Sequence, residues 1–479
     1  MSLDADTCHA ACEAKDRRFD GRFYIGVSST GIYCRCICPA RTPKRTNRNF
    51  YPSAAAAEAA GYRPCLICRP ERAPGLAPID APARLAAQAY QRIEAGALEE
   101  QGLEALAEEL GVTDRHLRRV MNTQFGASPI DIAQTARLLT AKRLLAETNL
   151  NVTNIAFAAG FRSLRRFNAA VKERYGMAPT QLRGRRALPD NGALTLVLGA
   201  RGALDLSATF AFLATRALPG VEIGGKDRYA RTLRIGDAIG WISVEQVEKG
   251  LELTVSDSLA PALRPLISAV RGAFDLDADM SAVDAHLSTD KRFAKSCAVE
   301  PAVRVPGAID GFETALRAVL GQQVTVAGAR TLTDRMVALF GTDVAGAPEG
   351  LTRAFPSAAV LAKAGPAAIA KIGLPLKRAE TLHRLAAASV EGKLNLQRGA
   401  IASGRTALAA IPGIGPWTVE YVALRALGDP DAYPASDIAI INALGGKADA
   451  LEALRPWRAY AAIRLWRSLA KKPIKGARS

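Results

Sequence analysis

Cysteines stand at positions 34, 36 and 38 in the stretch GIYCRCICPAR, and Cys65 and Cys68 follow in RPCLICRP. Set as Cys34 and Cys38 against Cys65 and Cys68, the pattern is C-x3-C, twenty-six residues, then C-x2-C. Two close pairs parted by a loop can place four thiolates around one zinc ion in a tetrahedron. Cys36 lies between two of these ligands, where its side chain should project away, and reads as a bystander. Cys8 and Cys12 make another C-x3-C, but CHAACEAK reads as a helix and no second pair remains to complete a site. Sulfur on zinc is a thiolate at neutral pH and therefore a nucleophile. Spacing alone leaves open whether the cluster is a structural knot or a reactive centre.

A second place for chemistry is AIPGIGPWTVEYVALRALG (410–428). PGIG reads as a hairpin between two helices, in which Gly413 and Gly415 let the backbone approach a phosphate, with amides at the following helix start as donors. A plain tight turn between helices has the same spelling. Twenty-two residues after Gly415, YPASDIAI presents Asp437 on a short polar break before a further helix. An aspartate so placed can cap that helix or serve as a catalytic carboxylate.

The elements that must position these groups fall into several blocks. RPERAPGLAPIDAPAR (69–84) reads as a proline-rich linker, and RGRRALPDNG (183–192) as a basic, turn-rich hinge. Between them lies an internal repeat: Ala107 and Gly111 return as Ala156 and Gly160, and FGASP (125–129) as YGMAP (175–179). Each half reads as helix, glycine turn, helix, the arrangement of a helix-turn-helix. In the first, Leu103, Leu106, Ala107 and Leu110 share one helical face, Thr113 is a candidate N-cap, and Leu117, Val120 and Met121 are buried by the next helix. That leaves Arg115, His116, Arg118, Arg119 and Asn122 outside; in the second half Leu164, Phe167 and Val171 turn inward and Arg162, Arg165 and Arg166 outward. The arginines are either a solvated face or the reading face for DNA, and the repeat with its glycine turns favours DNA. After about residue 192, YARTLRIGDAIGWISVEQVEKGLELTV alternates like antiparallel strands, and from Phe312, Leu316, Val319 and Leu320 onward the pattern is helical.

Composition agrees. Of 479 residues, 63 are Lys or Arg and 46 Asp or Glu, a net charge of +17 that favours a polyanionic partner such as DNA. Both parts are basic, 28 against 19 through Asp190 and 35 against 27 beyond it. No apolar run approaches a membrane span, and the opening MSLDADTCHA lacks a basic n-region and an apolar h-region, so a cytoplasmic address with reduced cysteines and no membrane contact is expected.

Three resemblances sharpen these readings. FDGRFYIGVSSTGIYCRCICPAR followed by FYPSAAAAEAAGYRPCLICRP resembles the N-terminal domain of the Ada DNA-repair proteins over about seventy residues. The resemblance implies that Cys34, Cys38, Cys65 and Cys68 bind one zinc ion and that Cys34 accepts a methyl group from a methylated DNA phosphate, once per molecule. Cys36 replaces a proline usual in that family, and the alkylguanine methyltransferase part with its PCHR nucleophile has no counterpart, Cys297 being the only later cysteine. The repeat over roughly 82–185 resembles AraC-type DNA-binding domains. The stretch 194–470, with LPLKRAETL and RPWRAYAAIRLW, resembles the helix-hairpin-helix DNA glycosylases, the 3-methyladenine DNA glycosylase II group above all. There the catalytic carboxylate matches Asp437, and the aromatic pocket matches Phe212, Trp417, Tyr421 and Trp466. The wedge that replaces the flipped nucleotide, a leucine in the group, is Gln323 here, and Ile438 stands where an aromatic residue is frequent. Trp417 occupies the place of the lysine that lets related enzymes cut the strand, and no four-cysteine iron–sulfur motif follows, so a monofunctional hydrolase without a cofactor of its own is expected.

The expected fold is therefore multidomain and mainly α. It comprises a small zinc-bound α/β module (1–76), an all-α paired helix-turn-helix (82–186), an α/β subdomain (192–300) and a helical helix-hairpin-helix core (301–475), the last two forming an α+β glycosylase. The expected function joins excision of 3-methyladenine- and 7-methylguanine-type bases to methyl-phosphotriester sensing and transcriptional regulation. Partners would be double-stranded DNA, alkylated or promoter, and RNA polymerase as a further candidate. Two rivals are a glycosylase whose front half is only a docking arm, and a regulator whose rear half binds DNA without catalysis.

Overall fold

The computed structural model describes residues 5–73, 84–183, 193–248, 250–445 and 448–470. The two linker readings thus lie partly or largely outside the described residues. None of the described helices is long and apolar enough to cross a membrane.

The first module is a four-stranded sheet between two helices, α1 (Ala5–Glu13) and α2 (Ala54–Ala59). Strands β1 (Tyr24–Val27), β2 (Ile32–Arg35), β3 (Arg48–Tyr51) and β4 (Arg63–Pro64) take the order β3-β1-β2-β4, antiparallel except for the β2–β4 pair. Cys8 and Cys12 on α1 pack with Phe23, Ile25, Val27 and Cys36 into a small core. Helix α2 starts where the Ser53 side chain accepts the Ala56 amide, and its run of alanines keeps the helix slim enough to be buried.

The repeat folds as two helix-turn-helix units. After α3 (Arg84–Ala95) and the short α4 (Ala97–Glu100), the first pairs α5 (Gly102–Glu109) with α6 (Asp114–Phe125). The long α7 (Pro129–Glu147) leads to the second, α8 (Val152–Ala158) with α9 (Leu164–Tyr175), closed by α10 (Pro179–Arg183). Side-chain caps explain the helix starts: Thr113 accepts the His116 amide, Asn151 that of Asn154 and Ser163 that of Arg166, while Ser128 and Asp131 form a capping box on α7. Leu117 and Met121 on α6, and Phe167 and Val171 on α9, are buried as the helical phase requires.

The remaining chain is a sheet followed by a helical bundle. Strands β5 (Ala193–Leu198), β6 (Glu222–Gly224), β7 (Arg228–Ile235), β8 (Ala238–Val247) and β9 (Gly250–Ser256) form an antiparallel sheet in the order β5-β9-β8-β7-β6. It is joined by α11 (Ser207–Ala214) and α12 (Leu263–Ala273). Its core runs without a break into the second helix-turn-helix: Leu144, Ile155, Phe161 and Phe167 belong to the same apolar cluster as Leu196, Phe210, Val255 and Leu266. Arg264 of α12 spans the same junction, giving one N–H to Glu99 (2.6 Å) and others to the carbonyls of Ile93 (3.1 Å) and Glu94 (2.9 Å) at the end of α3.

The last core gathers α13 (Met280–Leu287), α14 (Lys291–Val299), α15 (Gly311–Leu320), α16 (Val326–Phe340), α17 (Ala358–Ala370), α18 (Leu376–Val390), α19 (Ile401–Ala409), α20 (Pro416–Val422), α21 (Ile438–Ala443) and α22 (Arg458–Ala470). Helices α13 and α14 pack with this bundle rather than with the sheet, since Met280, Val283, Leu287 and Phe293 share its core. Helix α20 continues into a π-helical turn, Ala423–Leu427, of a kind that gathers at functional positions.

Candidate functional site

The sulfurs of Cys34, Cys38, Cys65 and Cys68 all lie within 4.8 Å of one another. Strand β2 carries Cys34, the turn after it Cys38, and the turn after β4 carries Cys65 and Cys68. Arg35 ties β2 to the second of these turns: its Nη1 donates to the Cys68 carbonyl at 3.1 Å, while its Nε donates to Asp20 at 2.8 Å. Backbone amides of Arg35 and Ile67 point at the sulfurs of Cys68 and Cys65, each at 3.4 Å, a setting that favours thiolate. Four thiols this close compete for protons. Accepting a hydrogen bond from Cys34 draws Cys38 down to about 7, while the hydrogen bonds that Cys34 gives its three neighbours, together with burial, push Cys34 up. A divalent cation at the centre lets all four ionise, and an all-sulfur tetrahedral donor set suits zinc. Cys34 and Cys38 remain half-exposed, whereas Cys65 and Cys68 are buried. Cys36 is buried too and gives its thiol to the Asp16 carbonyl (3.4 Å), away from the cluster.

Along the helix-turn-helix pair, Arg115, Arg118 and Arg119 on α6 and Arg165 and Arg166 on α9 are exposed. Arg118 lies 3.6 Å from Asp114 and Arg119 3.0 Å from His116. Arg162 is exposed as well but donates to the Glu99 carbonyl at 2.5 Å, tying the second turn to α4.

The aspartate after the hairpin stands between two indoles. Asp437 Oδ2 accepts Trp417 Nε1 at 2.9 Å, and Oδ1 accepts Trp466 Nε1 at 3.2 Å and the Ile440 amide at 3.0 Å. Trp417 stacks on Tyr421 with centroids 5.0 Å apart and an interplanar angle of 11°, and Trp466 tilts against Tyr421 at 6.3 Å. Phe212 from α11 completes the group through two arginines: the guanidinium of Arg216 lies 3.9 Å, and that of Arg425 4.5 Å, from its ring centre. Arg425 sits in the π turn, donates to the Tyr421 hydroxyl (2.8 Å) and to the Gly307 carbonyl (3.2 Å), and is buried. Burial opposes ionisation of the Tyr421 phenol, yet Arg425, Arg216 and Arg317 together hold its pKa below the ordinary tyrosine value. Neither Arg216 nor Arg425 is among the site residues expected from sequence. Their signal was the spacing: each stands four residues after a pocket aromatic, Phe212 and Tyr421.

The hairpin and the turn before α16 meet beside this pocket. Gln322 donates to the Gly413 carbonyl (3.3 Å) and to Thr418 Oγ1 (3.0 Å), which leaves its neighbour Gln323 exposed at the tip with φ of +57°. Thr381 Oγ1 donates to the Pro412 carbonyl at 3.1 Å, and a Cβ on Gly413 would fall 2.1 Å from Thr381 Oγ1. Ile438 is 75% exposed at the start of α21.

These arrangements define a helix-hairpin-helix base-excision glycosylase joined to an Ada-type metal module and a paired helix-turn-helix. Family models agree along the chain: the metal binding domain of Ada over 7–71, a helix-turn-helix domain over 106–185, the AlkA N-terminal domain over 195–310, and the HhH-GPD superfamily of base excision DNA repair proteins over 316–446. The probable bifunctional transcriptional activator/DNA repair enzyme AlkA of Mycobacterium tuberculosis is 37% identical over 98% of this chain and 97% of its own length. DNA-3-methyladenine glycosylase 2 of Escherichia coli is 34% identical over 55% of this chain and 93% of its own. The solved 3-methyladenine DNA-glycosylase of Archaeoglobus fulgidus superimposes with a TM-score of 0.49 at 19% identity, over 58% of this chain and 99% of that one. The chain belongs to the family of bifunctional transcriptional activator/DNA repair enzymes of the AlkA type.

Proposed function

We propose that this protein removes alkylated bases of the 3-methyladenine and 7-methylguanine type from DNA by hydrolysis, and that it reads backbone methylation with Cys34 to regulate transcription. The observation that carries the first part is the carboxylate of Asp437, held by two indole N–H groups on the wall of an aromatic box. An extruded base stacks against Trp417 and Tyr421, and the unstacking cost of a few kcal/mol is lowest where pairing is already damaged. The N-glycosidic bond breaks with its electron pair on the base; methylation at a ring nitrogen makes that base a cationic leaving group, so no strong acid is needed. Asp437 then faces a sugar with oxocarbenium character and takes the proton of the water that attacks it. A carboxylate oxygen has two lone pairs. Oδ1 already accepts two donors and Oδ2 one, so Oδ2 is the oxygen left for sugar and water. With Trp417 where a Schiff-base lysine would stand, the strand stays intact.

Gly413, Gly415 and the Gln323 tip would seat the duplex backbone and fill the vacated stack, while Arg115, Arg118, Arg119, Arg162, Arg165 and Arg166 supply contacts for the regulatory duplex. In the front module zinc, when bound, keeps the sulfurs as thiolates. Cys34, half-exposed, is open to a methylated phosphate: the methyl C–O bond breaks with its electrons on the phosphate oxygen, and the carbon joins Cys34 Sγ. The test is release of bases from methylated DNA. Asp437→Asn should lower it at least about 100-fold while binding of an abasic-site analogue persists. Near-normal release by this variant, or a borohydride-trapped adduct of the wild type, overturns the assignment.

A further inference from the structure

The module that carries Cys34 is built into the helix-turn-helix pair through α2. Its cap, Ser53, donates to the Phe125 carbonyl at the end of α6 (2.8 Å), and Ala56 packs so closely that a Cβ on Gly126 would lie 3.2 Å from it. One turn on, Glu58 is 4% exposed. Its Oε1 accepts the Tyr33 hydroxyl at 3.0 Å; its Oε2 accepts Thr135 Oγ1 of α7 at 2.7 Å and lies 3.4 Å from Arg174 Nη1 of α9. Lys142 of α7 makes a parallel link, donating to the carbonyl of Cys65 (3.0 Å) and to Glu71 (2.7 Å).

Tyr33 and Cys34 are neighbours on β2, so their side chains leave opposite faces of the sheet: Cys34 toward the sulfur cluster, Tyr33, wholly buried, toward α2. A single carboxylate thus holds the back of the acceptor strand with one oxygen and the second recognition helix with the other. Resting on the reading of Cys34 as methyl acceptor, we propose that Glu58 is the positioning residue that couples methylation of Cys34 to DNA reading by α9. Methyl transfer turns a thiolate into a thioether and removes one negative charge beside the basic segment PARTPKRTNR. The gain in attraction to phosphate reaches the recognition helices only if module and helices move as one body, since a loose tether converts far less of it into affinity. Glu58, joined to β2, α7 and α9 at once, makes them one body. An ion pair that merely stabilises the fold would leave the effect of methylation on DNA binding untouched.

The experiment uses the full zinc-loaded chain, before and after reaction with methyl-phosphotriester DNA, on a duplex selected from a random pool by the methylated wild type. The quantity read is the ratio of duplex Kd without and with the methyl group, alongside mass spectrometry of Cys34 and base release as an internal control. Glu58→Gln keeps the shape and removes the charge facing Arg174. It should accept the methyl at the wild-type rate and release bases normally, yet show a methylation ratio at least fivefold smaller. An unchanged ratio in a variant that melts like the wild type overturns the proposal. Should Glu58→Gln fail to fold, Tyr33→Phe removes one hydroxyl from the same node: a smaller ratio supports the coupling and an unchanged one overturns it. A wild type that takes up no methyl on Cys34 defeats the sensing reading itself, and the coupling with it.

Discussion

Asp437 meets two demands that looked like alternatives in the sequence. It caps α21 by accepting the Ile440 amide, and it stands between the indole N–H groups of Trp417 and Trp466. The cap fixes the side chain to which the proposed chemistry is assigned. Gln323 is the opposite case, an exposed side chain on strained backbone, with φ of +57°. Glycine is at ease there, so Gln323→Gly should leave thermal stability unchanged or raise it by up to about 1 kcal/mol. The same change should weaken binding to a flipped-nucleotide mimic about tenfold or more, relative to undamaged duplex. Equal weakening on both duplexes would place Gln323 outside the gap. Asp437 and the pocket aromatics could be named from the sequence through its resemblance to the helix-hairpin-helix glycosylases, and the structure brings Trp417, Tyr421 and Trp466 together beside Asp437. Arg216 and Arg425 were not, because a single arginine among 63 basic residues stands out only once the fold sets its guanidinium over the Phe212 ring.

Among the elements, the hairpin separates two glycines that the letters PGIG treat alike. Gly413 has φ of +95°, and any Cβ there runs into Thr381, at 2.1 Å from Oγ1 and 3.0 Å from Cγ2. Gly415 has φ of −91° and open space around it. Gly413→Ala should therefore destabilise the helical bundle by about 2 kcal/mol or more, seen as a lower Tm. Gly415→Ala should melt within about 0.5 kcal/mol of wild type and lose affinity for duplex DNA, because the added methyl occupies the approach to the amides of α20. Loss of stability in both variants, or in neither, would contradict this division. One helix start was readable from its cap, Thr113 being foreseen by name. The order of the five-stranded sheet and the π turn at Ala423–Leu427 were not, since both depend on partners far away in the chain, such as the Pro306 and Gly307 carbonyls that anchor Arg425.

For the whole molecule, the junctions matter as much as the modules. Each module announced itself by a motif of its own; the seams did not, because Arg264 reaches backbone carbonyls of Ile93 and Glu94 that no pattern marks. At this seam burial, with Asp277 adding to it, raises the Glu94 carboxyl to about 7; Arg271 and Arg264 pull the other way, as does the Tyr90 hydroxyl bonded to it. A carboxyl raised above its unfolded value binds its proton more tightly in the folded chain. Its contribution is complete below about pH 4.5 and is lost as pH climbs through 7. Stability followed by calorimetry should fall across that window by roughly 1–3 kcal/mol more in wild type than in Glu94→Gln, and equal slopes would rule Glu94 out. The unbroken core from Ile155 and Phe167 to Leu196 and Val255 has a consequence for taking the protein apart. A break in the chain between residues 184 and 192 parts regulator from enzyme in sequence, yet leaves each fragment with an uncovered apolar face. Made singly, the fragments should aggregate. Made together in one cell, they should assemble through that face into a soluble, non-covalent pair that co-elutes and melts as one, so that what joins sensing to excision is a shared interior and not the covalent bond between them.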